Sequence, residues 1–507
     1  MKSKTTRILC IVTALSGAAS AAFAQQATET YTLLGVSHYE PAELLTFATL
    51  LAQRETGAVT PEALAEVIET IYLEDGYLLA EVFLAADGHT LVVDEGEVGN
   101  IVIEGVDEDH FRLVQAYTRP LLGKRGLQQD DLERAIMLVE DIGAITATAE
   151  FDYPPGAAHA RLRVIAEELD RDYGSLSLDH PSRAFGEAVR LSFSQTYLSH
   201  LTAGDLLRFE LAATAETDRD DSSVWGALTY RMPLGGSGLY GEAYFGSVGA
   251  YRDARGALQE TDIAGRTAIL ALGYPFIRNV DTYGYGLLDL RRSSSEVDVG
   301  AQEFDSEVDV LAASWIYGKA LAAGGAYEYA ISVAYGEQRE MAQGIDDGDE
   351  SFSYLRFGFG YEHPIALLGP DTTIRAELWG QHSSDRLPSV EEFYLGGIDA
   401  ERGYLFAEAQ GDSGYSTSLE ISRDLFIDSA YLNRLRPFGF VDYGYVRNND
   451  PRAHEIDETT LASVGLGIDA EFSNGFFARS YIAAPLEDGP DTRAGEPAVY
   501  LNLTKSW

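Results

Sequence analysis

Ser353 to Tyr361 reads S-Y-L-R-F-G-F-G-Y. With a side-chain period of two, Leu355, Phe357, Phe359 and Tyr361 share one face of a strand, and Tyr354, Arg356, Gly358 and Gly360 the other. One face suits lipid and the other a polar interior, which is the alternation of a strand in a membrane-spanning barrel. Working outward, sixteen segments of roughly 8 to 11 residues with alternating character run from Tyr173 to the end of the chain. Their centres lie near residues 176, 190, 210, 228, 243, 270, 287, 312, 331, 357, 376, 420, 441, 466, 480 and 502. The even total is what a single-chain bacterial barrel requires. A soluble β-sandwich would need far fewer strands and a second sheet over each apolar face. The last segment, Val499 to Trp507, puts Val499, Leu501 and Leu503 on one parity and ends on an aromatic residue. Pairing it with the first strand would remove the open edge of the sheet.

Ahead of residue 169 the pattern changes. Met1 to Ala24 has a basic start (Lys2, Lys4, Arg7), an apolar stretch from Ile8 to Leu15 and a close at Ala22-Phe23-Ala24. That is the tripartite form of a secretory leader cleaved after Ala24; it is too short for a membrane anchor. Residues 25–98 then read helix, helix, strand, strand. Leu44, Leu45, Phe47, Ala48 and Leu51 form one helical stripe, and Thr60-Pro61 opens a second helix through Leu64, Val67, Ile68 and Ile71. Ala80 to Leu84 and Thr90 to Asp94 are extended. Residues 99–168 repeat the plan, with a strand at Ile101 to Gly105, helices at Asp109 to Tyr117 and Asp130 to Asp141, and strands at Ala147 to Tyr153 and Arg161 to Glu167. Each unit is about 70 residues, which buries only a modest core. The expected fold is a transmembrane β-barrel of sixteen antiparallel strands over residues 169–507, preceded by two small α+β domains.

Composition excludes several function classes. The chain holds 80 Asp and Glu against 37 Lys and Arg, a net charge of −43, so it lacks the basic footprint of a nucleic-acid partner. Its single cysteine, Cys10, lies in the leader, which leaves the rest of the chain without thiol, disulfide or cysteine metal site. Acidic clusters at Asp218 to Asp221 and Asp346 to Glu350 read as solvated loops; a calcium loop would close on a bidentate Glu at its twelfth position, and none does. After Ala24 no stretch is apolar enough for a spanning helix, so entry into a membrane requires a closed barrel. The nine His are scattered, with no HExxH, GxSxG or phosphate-binding loop. No catalytic residue, metal or cofactor is expected.

Phe393 to Glu420, F-Y-L-G-G-I-D-A-E-R-G-Y-L-F-A-E-A-Q-G-D-S-G-Y-S-T-S-L-E, carries LGG, RGY and GDSG elements, and Leu435 to Gly444 reads L-R-P-F-G-F-V-D-Y-G. These stretches resemble the transporter component of two-partner secretion systems, the hemolysin and filamentous-hemagglutinin activator/secretion proteins, which are relatives of the BamA assembly barrel. Weaker similarities support it. Ile71-Tyr72, Gly76-Tyr77, Glu95-Gly96 and Ile103-Glu104-Gly105 resemble the family's polypeptide-transport-associated (POTRA) domain. Asp172-Tyr173-Gly174-Ser175 and Ala203-Gly204-Asp205 resemble the first barrel hairpin, and Ala483-Ala484-Pro485-Leu486 a late strand. The amino-terminal plug helix of some members has no counterpart, since only Gln25 to Thr30 precede the first module.

The resemblance implies an outer-membrane protein with two periplasmic POTRA domains (25–98 and 99–168) and a lumenal loop at about 393–414. Arg402, Gly403 and Tyr404 would form the tip of that loop, supported by Gly396, Gly397, Gly411 and Asp412. Glu401 departs from the branched apolar residue usual before the Arg. Asp442 would be the ion-pair partner on the barrel wall, flanked by Phe440 and Gly444. Period two places Phe438, Phe440, Asp442 and Gly444 together, and since an acid cannot face lipid cheaply, that face is the lumen. The implied partner is an unfolded secreted protein of the adhesin or hemolysin type (TpsA-like), captured by the POTRA domains and passed through the barrel. Contacts with outer-membrane lipid and lipopolysaccharide, and a monomeric state, are expected. Two other readings stay open: a BamA-type assembly factor, which usually carries more modules, and a porin-type channel, which carries none.

Overall fold

The computed structural model describes residues 31–57, 59–183, 186–216, 221–253, 259–300, 302–340, 349–367, 369–451 and 456–507. The leader, Gln25 to Thr30 and most of the two acidic clusters lie outside the described residues. The chain divides into two compact units, with the boundary between Leu169 and Asp170.

The first unit holds two modules of the same plan. One comprises β1 (Thr32–Leu34), α1 (Pro41–Thr56), α2 (Pro61–Glu74), β2 (Glu81–Leu84) and β3 (Thr90–Asp94). The other comprises β4 (Val98–Glu104), α3 (Glu108–Thr118), α4 (Gln129–Glu140), β5 (Ile145–Asp152) and β6 (Ala160–Glu168). In each sheet the last strand is central, parallel to the first and antiparallel to the second. Caps start the helices where the sequence offers them: the Ala63 N–H donates to Thr60 Oγ1 at 3.2 Å ahead of Pro61, and the His110 N–H to Asp107 Oδ1 at 2.9 Å. The apolar stripes of α1 and α2, with Leu44, Ala48, Leu64 and Ile68 fully buried, close over Leu91 and Val93 of β3. Strand β1 is not among the elements that the sequence pattern predicts. It has only three residues, and its partner, beginning with Thr90 opposite Thr32, lies far along the chain, so no local pattern announces it.

The second unit is a closed antiparallel barrel. Its strands are β7 (Asp172–Arg183), β8 (Gly186–Leu198), β9 (Leu206–Glu216), β10 (Ser222–Pro233), β11 (Tyr240–Arg252), β12 (Thr261–Arg278), β13 (Thr282–Val299) and β14 (Gln302–Ala320). They continue with β15 (Ala326–Glu340), β16 (Ser351–Ile365) and β17 (Thr372–His382); a small lumenal hairpin, β18 (Phe393–Leu395) and β19 (Ala409–Gly411), interrupts the series. After it come β20 (Ser413–Arg423) with its short extension β21 (Leu425–Phe426), then β22 (Leu432–Arg447), β23 (Glu458–Phe472), β24 (Phe476–Pro485) and β25 (Ala498–Ser506). Counting β21 with β20, sixteen strands close the wall, and each of the sixteen expected centres falls in one of them. Strands β12 to β14 are longer than expected, up to 19 residues. Their extra length is polar or charged (Ser293 to Asp298, Asp305 to Glu307) and extends past the apolar band that alternation detects.

β25 pairs with β7 to close the barrel. The Trp507 N–H donates to Gly174 O at 3.1 Å and the Gly174 N–H to Trp507 O at 3.0 Å, while Asp179 accepts from the Tyr500 hydroxyl and Asn502 Nδ2, both at 2.7 Å. Outward positions carry a continuous apolar band: Leu270 sits opposite Leu290, Leu290 opposite Leu311, and all three are exposed. On β16, Leu355 and Phe359 are exposed on that face, while Tyr354 and Phe352 are buried on the inner one.

Candidate functional site

Between β17 and β20, residues 383–412 leave the wall and fold back inside the barrel. Gly396 and Gly397, both at positive φ, turn the chain after β18 and start the tip. Glu401 then points down beside β22. Its carboxylate accepts the Gly396 N–H at 2.8 Å and fills the space over Gly444, where a Cβ would lie 2.2 Å from Glu401 Oε1. The glycine of the wall motif and the acid that departs from the family pattern are therefore one packing unit.

Next to it Arg402 meets Asp442. Nε and Nη2 donate to Oδ2 and Oδ1 of Asp442, each at 2.8 Å, and the Arg402 N–H donates to Oδ2 at 3.1 Å. Asp442 is 0% exposed and also accepts the Ser418 hydroxyl at 2.7 Å. Nη1 reaches Glu420 Oε2 at 2.9 Å, Nη2 reaches Ser418 Oγ at 3.0 Å, and Cζ lies 3.4 Å from the centroid of the Phe440 ring. The planar fork thus satisfies two carboxylates and stacks on an aromatic face, which a Lys ammonium cannot do. Gly403 follows at φ 101°, a conformation that L side chains rarely adopt, and there the chain passes close to Ala483. Tyr404 is fully buried; its hydroxyl lies 2.8 Å from both the Ala462 and Glu487 carbonyl oxygens.

Three more acids fasten the loop. Asp412, beside Gly411 at the return to β20, accepts the Leu387 and Asn449 N–H groups, both at 2.6 Å. Glu408 accepts the Thr492 N–H at 2.6 Å, the Asp491 N–H at 2.9 Å and the Leu405 N–H at 2.9 Å. Glu391 meets Arg291 at 2.7 Å and the Tyr354 hydroxyl at 2.8 Å. Glu391 and Glu408 were not singled out from the sequence. Their signal was an unusual density of acids in a segment flanked by glycines, which alone does not separate a buried carboxylate from a solvated one.

In the first module Glu95, half of the Glu95-Gly96 match, is fully buried and ties β3 to the segment after β1. It accepts the Ser37 N–H at 2.7 Å, the Ser37 hydroxyl, the His38 N–H at 3.2 Å and the Tyr72 hydroxyl at 2.9 Å. Burial alone would raise its pKa, but the hydrogen bonds from Ser37, His38 and Tyr72 outweigh that and hold it at about 2. Asp107, His110 and Glu168 bring three potential metal-ligand atoms within 4.8 Å of one another, but Asp107 already caps α3 and bonds His110 Nδ1 at 2.9 Å, so the group is explained as a helix cap.

A sixteen-stranded barrel with an apolar outer band, a loop pinned inside by a buried Arg–Asp pair and POTRA-like modules in front defines an outer-membrane barrel with periplasmic modules. Residues 159–470 match the family of haemolysin secretion/activation proteins ShlB/FhaC/HecB, and the chain belongs to that family. Among solved structures it is similar to CdiB from Escherichia coli (TM-score 0.76, 16% identity, 94% of this chain and 90% of that one). It is similar also to CdiB from Acinetobacter baumannii (0.73, 15%, 94% and 89%). BamA from Haemophilus ducreyi lacking POTRA domains 1–3 shares the fold more loosely (0.53, 16%, 88% and 93%). No curated protein sequence matches the chain. The protein is thus an outer-membrane transporter of the two-partner secretion type, a family whose members work with secreted partner proteins.

Proposed function

We propose that this chain captures one unfolded secreted protein of the adhesin or hemolysin type on its periplasmic modules and passes it through the barrel to the cell surface. The observation that carries the reading is the lumenal loop. It is held by polar contacts centred on Arg402 and Asp442 beside a small apolar cluster of Leu395, Tyr404 and Ala409 against Val446 and Leu461, and the polar contacts can be exchanged for hydration when a client enters. Edge strands β2 and β5 have one unpaired side each and suit addition of an extended client through main-chain hydrogen bonds. Folding of the client outside would supply the drive. The protein acts as a conduit and not as a catalyst. One chain closes its own barrel, which makes a monomer sufficient, and its apolar band is solvated by outer-membrane lipid and lipopolysaccharide.

The test is export of a large leader-bearing protein sought among the genes next to this one, from cells with the wild-type transporter, the Arg402→Ala variant or a deletion. Deletion is expected to abolish export, and Arg402→Ala to impair it while heat-modifiable gel mobility shows a folded barrel. Unchanged export on deletion, with other outer-membrane proteins misassembled, would make this an assembly factor.

A further inference from the structure

A water-filled lumen favours polar side chains on its wall, and much of this one obeys: Ser314, Ser332, Arg356 and Ser416 all face inward. Against that background aromatic residues from separate stretches, Trp379, Tyr394 and Phe406 among them, line one lumenal cavity of about 800 Å³. Trp379 stands on the inner wall, paired with Gly358, and is 52% exposed; Tyr394 and Phe406, on the two limbs of the inward loop, are each 50% exposed. The Trp379 indole lies over Gly358, where a Cβ would come within 2.5 Å of it, so the missing side chain gives the ring its seat. On the inward loop, lining the same cavity, the Tyr394 and Phe406 rings pack with centroids 5.2 Å apart. Ile316 and Ala330 continue the apolar lining along the wall. Trp379 on the wall and Tyr394 on the loop thus leave large aromatic surface facing the water of the cavity, which is unfavourable unless something covers it.

We propose that this cavity is a binding site for aromatic and branched apolar side chains of an extended polypeptide in transit, with Trp379, Tyr394 and Phe406 as its contact surfaces. The proposal rests on the transporter reading. Its location selects the occupant: membrane lipid lies on the other side of the wall, and a folded protein does not fit in a lumen already holding the inward loop. An extended chain enters, and its side chains reach the cavity two residues apart on one face. The volume is that of an ordinary ligand pocket, about 300 to 1,000 Å³, and holds a few side chains at a time. Aromatic contacts tolerate many sequences, and each is weak enough to release, which transit requires.

The experiment uses the full-length protein in lipid nanodiscs and two fluorescent glycine–serine peptides, one with spaced phenylalanines and one with serine in their place, with binding followed by anisotropy. The phenylalanine peptide is expected to bind the wild type, and the serine peptide to bind far more weakly. Trp379→Ala and Phe406→Ala should each weaken the phenylalanine peptide roughly three- to tenfold. Trp379→Phe should retain most of the binding, and Leu466→Ala on the lipid face should change nothing. Heat-modifiable mobility shows that each variant is folded. The proposal is overturned if the phenylalanine peptide does not bind the wild type, if the serine peptide binds as tightly, or if the aromatic variants bind like the wild type. Its failure is separable from that of the transporter reading, because export on deletion is measured without any of these variants.

Discussion

Arg402 is placed where a single side chain decides the state of a loop. Truncating one partner of a buried charge pair costs about 3–5 kcal/mol, most of it from the charge left behind. Here Asp442 would lose its cation and Glu420 the nearer of its two, keeping only Arg479 at 3.4 Å, and the easiest relief is for the loop to leave and let water in. In Arg402→Ala the loop around residues 396–408 is therefore expected to become sensitive to protease in the folded barrel. Adding Asp442→Ala should recover part of the lost protection, so the double-mutant cycle should be non-additive; additive effects would mean that the pair does not hold the loop. Arg402→Lys should fall between, because it supplies charge without the fork. Glu95 gives a pH prediction. Its folded pKa of about 2 lies below the ordinary 4.5, so folding favours the ionised form. The stabilisation is complete above about pH 4.5 and is lost as pH falls toward 2. Hydrogen-exchange protection over residues 41–94 of the full chain, corrected for intrinsic rates, should drop across that window and should lose this component in Glu95→Gln.

At the scale of elements, β2 is an edge strand that is partly covered. The Ala85 N–H bonds Thr90 O across the hairpin, so alternation turns the Val82 N–H away from β3, where it donates to Glu69 Oε2 of α2 at 3.2 Å. A client strand adding there competes with Glu69 for that donor. Glu69→Ala should strengthen capture of an extended client peptide by the modules severalfold, the order of one typical hydrogen bond of about 1 kcal/mol. Weaker capture would show instead that Glu69 holds β2 in a competent shape. In the second module Glu140 of α4 stands 3.4 Å from the Ala147 N–H of edge strand β5, a longer contact of the same kind.

The whole molecule is defined by two faces one residue apart. Ile331 and Ser332 are neighbours on β15; Ile331 is exposed on the lipid side, and the Ser332 hydroxyl bonds Ser314 across the inner wall at 2.9 Å. Ile331→Arg should destabilise the barrel by about 2–4 kcal/mol at mid-bilayer depth, less toward the rims, whereas Ser332→Arg should fold normally. Heat-modifiable mobility over a urea series, with the protein in lipid vesicles, measures both; equal destabilisation would contradict the assignment of the faces.

The number of membrane strands, their faces and the repeated module plan were legible in the sequence, because side-chain alternation and helical stripes are local periodicities written into neighbouring residues. Arg402 and Asp442 were legible only through resemblance. They stand 40 residues apart on different elements, and no period links them. What only the tertiary structure decided was which of many acids are buried. Nothing in the sequence separates Glu391, Glu401 and Glu408 from solvated carboxylates; the inward turn of the loop gives each its N–H, hydroxyl or guanidinium partners. Trp379 lies in a strand by its sequence alone, but which of its neighbours are small enough to seat the indole, and which rings share its cavity, follow from strand register and loop path. Those are long-range pairings, fixed by closure of the barrel.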